Sequence, residues 1–170
     1  MKKRVAILVL AIALLAGFAY GEGFSKNGMM LAPGNSAFNA GVGYGYGWGS
    51  IGGINITAGY EMIFGKFDLG AIPLSFGAAA RLGIGISSPL LVSAGAFGTL
   101  HFCWGALDLP SSFLNNLETY LGIGLGMSIV PAFTLGFNTI GGLNYFISDS
   151  MAVNFEGGMY SSTVGVLLKL

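Results

Sequence analysis

The sequence predicts an all-β fold, a closed antiparallel transmembrane β-barrel of about eight strands. The composition is 54% hydrophobic and only 8% charged, which is too apolar for an ordinary soluble domain. Large apolar residues alternate with glycine and small polar residues at period two, which indicates strands rather than helices. The 30 glycines lie inside these alternating segments without a Gly-X-Y period, so they indicate neither collagen nor a flexible linker.

The N terminus has the pattern of a secretory signal peptide. Three basic residues at positions 2–4 precede an unbroken apolar run over residues 5–15, and small residues follow. We predict a signal peptide over residues 1–21, with cleavage after Gly21 or, alternatively, after Ala19. The apolar run is shorter than the roughly 20 residues of a membrane span, and an uncleaved N-terminal anchor is the alternative interpretation.

The remaining chain divides into a short N-terminal segment over residues 22–35 and a barrel over residues 36–170. Removal of the signal peptide leaves four basic and seven acidic residues, a net charge of −3. Nucleic acid and anionic membrane surfaces are therefore poor partners. Cys103 is the only cysteine, which excludes an intrachain disulfide and a multi-cysteine metal site.

The strands are predicted one by one from this alternation. It is clearest over residues 38–48, 54–64 and 74–87; in the last of these, every second residue from Leu74 to Ile86 is apolar. Turn-like residues over 65–70 separate the second strand from the third. Weaker alternation predicts five more strands, over residues 91–104, 118–129, 133–147, 151–159 and 161–170.

The composition of the two faces predicts which one meets lipid. Glycine, serine, asparagine and isolated charges cannot fill a dry core, but they can line a narrow lumen. The large apolar residues are therefore predicted to face lipid. Aromatic girdles are predicted at the two rims, from Tyr44, Tyr46 and Trp48 at one and Trp104 and Tyr145 at the other. The competing interpretation, a helical membrane protein, lacks any long apolar run after residue 21 that is free of repeated glycines or charges.

The C-terminal residues 163–170, TVGVLLKL, resemble the assembly signal of outer-membrane barrels. Residues 145–153, YFISDSMAV, are similar to the last periplasmic turn of small barrels. Together they resemble the OmpA/OmpW-like superfamily of eight-stranded proteins, although Leu170 stands where that superfamily usually has Phe. The residues of the signal are Thr163, Gly165, Leu168 and Leu170.

The resemblance implies a bacterial outer-membrane location. It also implies insertion by the barrel assembly machinery with the help of periplasmic chaperones. A periplasmic C terminus would place the tightest connections, at residues 47–50, 87–89, 130–131 and near 160, outside the cell. Long outer loops of the kind that adhesins and receptors use are therefore not expected.

A few charged residues fall inside the predicted membrane zone, where charges are costly and usually paired. We predict that Arg81 on strand three pairs across the lumen with Glu156 on strand seven, or with Glu61 if the register differs. The superfamily is known for lumenal ion networks that plug or gate the pore, and a purely structural salt bridge is the alternative. His101, Glu118 and Lys169 are expected nearer the periplasmic end.

Ser75 and His101 are predicted to form a polar cluster in the lumen at the level of Glu61. A serine, a histidine and a carboxylate invite a hydrolase interpretation. Two strands separate Glu61 from His101, about 9–10 Å at sheet spacing, and no Gly-x-Ser-x-Gly motif is present. We therefore expect a hydrogen-bonded cluster, with no catalytic residues, no metal and no cofactor.

The sequence thus favours a structural or membrane-integrity barrel without dedicated catalysis. A narrow porin-like conduit, or a pocket for small hydrophobic molecules, is the alternative, and a membrane-embedded hydrolase or acyltransferase is a more remote one. The lumenal glycines fit either tight curvature or free volume for a solute.

Overall fold

The computed structural model describes residues 30–45, 53–70, 72–86, 88–107, 110–158 and 161–170. The predicted signal peptide and the predicted turns at 47–50 and near 160 lie outside the described residues. Eight strands are present: β1 Ser36–Gly45, β2 Gly53–Leu69, β3 Ile72–Ile86, β4 Leu91–Cys103, β5 Leu117–Val130, β6 Thr134–Phe146, β7 Met151–Gly158 and β8 Ser161–Lys169.

The strands form one closed antiparallel barrel in sequence order, which confirms the predicted fold class. β1 and β8 complete the ring by pairing Ala37–Gly45 with Ser161–Lys169. A closed ring satisfies the backbone hydrogen bonds of every strand, as a membrane requires. We call the end of the barrel near Ser36 and Lys169 the lower end, and the end near Gly45 and Ser161 the upper end.

The connection from β4 to β5 contains a 3₁₀ turn over Trp104–Leu107 and one short helix, α1, over Ser112–Asn115. The fourth strand therefore ends at Cys103, one residue earlier than predicted. No helix among the described residues is both long enough and apolar enough to span a membrane.

The turn predicted over residues 65–70 is wrong. β2 continues to Leu69 and pairs with β3 as far as Ile72, and the reversal lies at Gly70, whose φ is +66°. Gly65 resembles a turn residue in the sequence, but it follows an irregularity of register between Ile63 and Gly65, where one extra residue bends the strand. The β2–β3 hairpin is therefore longer than the sequence indicates.

The two faces of the wall are those that the alternation predicts. Leu82 and Ile84 on β3 are 60% and 49% exposed, whereas Arg81, which precedes Leu82 and points the opposite way, is 3% exposed. The inward polar residues of the upper half are also buried: Asn55, Ser93, Ser128 and Thr163. Asn39, in the lower half of β1, is buried as well. The large apolar side chains thus point out of the barrel, and the inward side chains leave little accessible surface in the lumen.

Glycine in the lumen is tied to curvature at the positions where neighbouring strands approach most closely. A Cβ atom at Gly124 would lie 1.9 Å from the carbonyl oxygen of Ala96 on β4. A Cβ atom at Gly165 would lie 2.1 Å from the carbonyl oxygen of Ala40 on β1. At these two positions, glycine allows adjacent strands to bend around a narrow lumen, rather than leaving free volume for a solute.

Candidate functional site

Arg81 lies at the centre of a buried ion network in the lumen. Its Nε is 3.0 Å from Oε2 of Glu156, and its Nη2 is 2.9 Å from the same oxygen. Nη2 also lies 3.4 Å from Oε2 of Glu61. The sequence offered these two carboxylates as alternative partners, and the structure places Arg81 against both.

His101 bridges two carboxylates in the lower half of the lumen. Its Nε2 lies 2.8 Å from Oε1 of Glu61, and its Nδ1 lies 3.1 Å from Oε1 of Glu118. Both ring nitrogens thus face carboxylate oxygens, an arrangement that an imidazolium satisfies by donating from both. The ring also stacks on Tyr120, with 5.4 Å between the ring centroids.

Two hydroxyl groups complete the hydrogen bonding of Glu61 and Glu156. Thr99 on β4 donates to Oε1 of Glu61. Tyr120 on β5 donates to Oε2 of Glu156 over 2.6 Å. Each carboxylate therefore accepts from a cation and from a neutral donor, which lowers the cost of burying its charge.

Two asparagines extend the network toward β7. Asn144 Nδ2 donates to Oε1 of Glu118 over 3.0 Å, and Asn154 Nδ2 donates to Oδ1 of Asn144 over 2.7 Å. Asn154 also contacts the hydroxyl of Tyr120 at 3.2 Å, which joins the two halves of the network. Six consecutive strands, β2 to β7, contribute side chains to it.

The N-terminal segment closes the lower end of the barrel. Met30 and Leu31 are 4% and 0% exposed. The backbone N–H of Leu31 donates to Oε2 of Glu118 over 3.1 Å, and Nζ of Lys169 donates to the carbonyl oxygen of Met30 over 3.3 Å. We call the buried apolar cluster at this end the floor; it consists of Met30, Leu31, Ala37, Ile63, Cys103, Phe146, Ala152 and Leu167.

Ser75 does not pair with Glu61 on β2, so that part of the predicted register is wrong. Ser75 is buried and pairs with His101 on β4, but on β2 it pairs with Lys66. Glu61 pairs instead with Ala79, because the β2–β3 hairpin is longer than predicted and shifts the register.

The predicted separation of two strands between Glu61 and His101 is present, but it does not keep their side chains apart, because these are in direct contact. They are two strands apart and at different register levels. In a barrel, however, the strands tilt, so lumenal residues of different register reach the same height. Both side chains then converge in a narrow interior.

The aromatic residues predicted for the rims have different surroundings. Tyr44 is 52% exposed on the outer face, and Tyr46 and Trp48 lie outside the described residues. Trp104 packs edge-to-face on Phe102. Tyr145 stacks on the ring of Phe113 at 4.9 Å.

The residues of the predicted assembly signal lie on both faces of β8. Thr163 is buried in the lumen, and Gly165 pairs with Gly41 and Asn154. Leu168 and Leu170 are exposed on the outer face.

Thr99, Tyr120, Asn144 and Asn154 were not singled out as site residues from the sequence. All four lie on the inward face of β4 to β7, where the alternation in the sequence is weaker and does not indicate which partners they meet. Among the described residues, no group of histidine, cysteine, aspartate and glutamate side chains is arranged to hold a metal ion.

Comparison with solved structures concerns the fold. The chain is similar to a de novo designed transmembrane β-barrel, with a TM-score of 0.54 and 17% identity, over 84% of this chain and 100% of the design. Ail, an outer membrane protein of Yersinia pestis studied in a phospholipid bilayer nanodisc, gives a TM-score of 0.45 and 8% identity, over 81% of this chain and 99% of Ail. No protein-family model and no curated protein matches the sequence. The architecture is that of a transmembrane β-barrel.

Proposed function

We propose that this chain is an integral β-barrel of a bacterial outer membrane, with a structural role in that membrane and a lumen sealed by its own side chains. One observation carries the proposal: two buried layers, the ion network and the floor at the lower end, close the lumen. Arg81 and Glu61 are each 3% exposed in the first layer, and Leu31 is 0% exposed in the second. Such layers block the passage of solutes through the lumen, so the barrel acts as a sealed wall in the membrane.

The proposal assigns no catalytic role to His101 and Ser75. A general base needs a free ring nitrogen to accept a proton, and both nitrogens of His101 face carboxylates. We expect neither the wild type nor the Ser75→Ala variant to hydrolyse ester substrates. Ester hydrolysis by the wild type that disappears in Ser75→Ala would overturn this assignment.

Planar-bilayer conductance of the refolded protein tests the sealed lumen. We expect the wild type to be silent, together with Lys66→Ala, a matched removal of an exposed cation at the lower end of β2. Steady wild-type conductance would favour the alternative function, a narrow conduit. Conductance that arises only in Arg81→Ala would support the network as the seal, whereas a silent variant would place the seal in the floor.

For biogenesis, we propose that the signal peptide directs export and that the barrel assembly machinery recognises the last strand and inserts the protein. The outward position of Leu168 and Leu170 supports this, because an exposed apolar strand end is accessible to a partner. We expect Leu170→Asp to lower the amount of folded barrel in the outer-membrane fraction, and Leu170→Phe to preserve it. Equal amounts of the two variants would contradict this role for the C-terminal residue.

A further inference from the structure

The outer wall of the barrel carries an apolar groove across β3 to β7. Its larger part has a volume of about 900 Å³ and is bordered by Leu100 and Leu121. A second depression of about 360 Å³ shares these two residues and Gly141 with the first, and it continues to Phe102 and Thr119. The two depressions are therefore continuous, and we call them together the wall groove.

The base of the wall groove includes two outward-facing glycines, Gly98 and Gly157, that strand packing does not require. A Cβ atom at Gly98 would meet no atom closer than the carbonyl oxygen of Ile123, at 3.9 Å. A Cβ atom at Gly157 would meet none closer than Oγ of Ser162, also at 3.9 Å. The lumenal Gly124 is the opposite case, because neighbouring backbone leaves no room for a Cβ there. At Gly98 and Gly157, the depth of the groove is therefore not a consequence of close strand packing.

Tall apolar side chains form the side of the wall groove. Leu121 and Ile123 on β5 are 71% and 67% exposed, among the most exposed apolar side chains of the wall. Both project from the same outward face that meets lipid. The groove is therefore continuous with the lipid-facing surface, and hydrocarbon is the medium that surrounds it.

The length and position of the wall groove define its occupant. From Ile123 to Thr119 it follows four residues of β5, about 14 Å at strand spacing. Because barrel strands tilt, the groove spans at most about half of the ~30 Å hydrocarbon core along the membrane normal, so it matches one leaflet rather than a transmembrane partner. It occupies the lower halves of β4 and β5, on the side of the floor, which is the periplasmic side in the orientation that the C-terminal strand predicts.

We propose that the wall groove binds one acyl chain of a phospholipid in the leaflet on the side of the floor. The glycines allow the chain to lie against the backbone, while Leu100, Leu121 and Ile123 contact it from the sides. The inference rests on the proposed insertion in a membrane but not on the sealed lumen.

Photocrosslinking in vesicles tests the site. The full mature chain is refolded in phosphatidylcholine vesicles that contain a phosphatidylcholine with a diazirine in one acyl chain, and crosslinked residues are mapped by mass spectrometry. We expect crosslinks to concentrate at Leu100 and Leu121, above the level at Leu82 and Ile84, which are similarly apolar and exposed on β3. The double variant Gly98→Leu/Gly157→Leu, which fills the groove, should lose this preference, whereas Ala40→Leu on the outer face of β1 should retain it.

Three results would overturn the proposal. Crosslinks spread evenly over the outer wall would show ordinary solvation by lipid. Links between two protein chains at the groove would assign it to a second copy of the barrel. Preferential labelling by a diazirine lipopolysaccharide confined to the opposite leaflet would assign the groove to a different lipid. Failure of the wild type to insert would contradict the membrane barrel itself, whereas conductance by a correctly inserted wild type would contradict only the sealed lumen.

Discussion

Arg81 shows at the scale of a single residue how the lumen tolerates charge. Its guanidinium has almost no contact with solvent, yet it meets two carboxylates, and each carboxylate also accepts a hydrogen bond from a hydroxyl group. Burial of an ion pair gives little net stability, but removal of one partner leaves the other charge without compensation. The network therefore constrains the relative positions of β2, β3 and β7 more than it adds stability.

Arg81→Met is expected to lower the free energy of unfolding by about 3–5 kcal/mol, because Glu61 and Glu156 would lose their common cation. Arg81→Lys should lose less, since it retains the charge but not the fork of donors. The measurement is a urea titration of the refolded barrel in detergent micelles, with Lys66→Met as the control for loss of an exposed cation. An effect of Arg81→Met no larger than that of the control would contradict the account of the network.

At the scale of the element, the clearest contrast is between two glycines on neighbouring strands. Gly124 on β5 faces the lumen and Gly98 on β4 faces lipid, and their backbones lie side by side. Only the lumenal position lacks room for a Cβ atom. Glycine is thus required by strand packing on the lumenal face at Gly124, but not on the outer face at Gly98.

Gly124→Ala is therefore expected to cost about 1–3 kcal/mol of unfolding free energy, because the strands must separate to admit the methyl group. Gly98→Ala, the matched substitution on the outer face, should be neutral or slightly stabilising through the unfolded chain. Unfolding titrations of both variants provide the comparison. Equal losses would mean that lumenal glycine does not serve curvature.

The N-terminal segment is the second element whose role depends on packing. Leu31 is fully buried beneath the strands although it belongs to no strand, so Leu31→Ala should cost about 2–5 kcal/mol, as a core truncation does. Pro33, which is exposed in the same segment, provides the control substitution Pro33→Ala. Similar unfolding midpoints for the two variants would show that the segment is a tail rather than part of the floor.

These elements also show what the sequence could predict. Alternation along each strand was sufficient for the eight strands and for the outward face, because one face must be apolar in lipid. It was insufficient to predict the contact between Glu61 and His101. That contact depends on strand tilt and on the extension of β2 to Leu69, which the turn-like Gly65 did not indicate. The burial of Leu31 was also beyond reach, because residues 30–35 have no periodicity that relates them to the barrel.

The whole molecule is a barrel with its apolar surface outside and its charges inside. The exposed apolar side chains cover the outer wall, whereas the buried polar ones converge in the lumen and the floor closes the lower end. This inverted distribution is stable only when hydrocarbon surrounds the protein. We therefore claim that the apolar wall faces lipid, and the network, the floor and the wall groove all depend on this orientation.

Spin labels on a background with Cys103→Ala test that claim most directly. Single labels at Leu82 and Ile84 on β3, and at Leu69 in the exposed β2–β3 hairpin, are compared in vesicles for collision with oxygen and with a water-soluble nickel chelate. The account predicts high oxygen and low nickel accessibility at Leu82 and Ile84, and the reverse at Leu69. Nickel accessibility at Ile84 equal to that at Leu69 would show that the apolar face meets water, and it would contradict the transmembrane barrel.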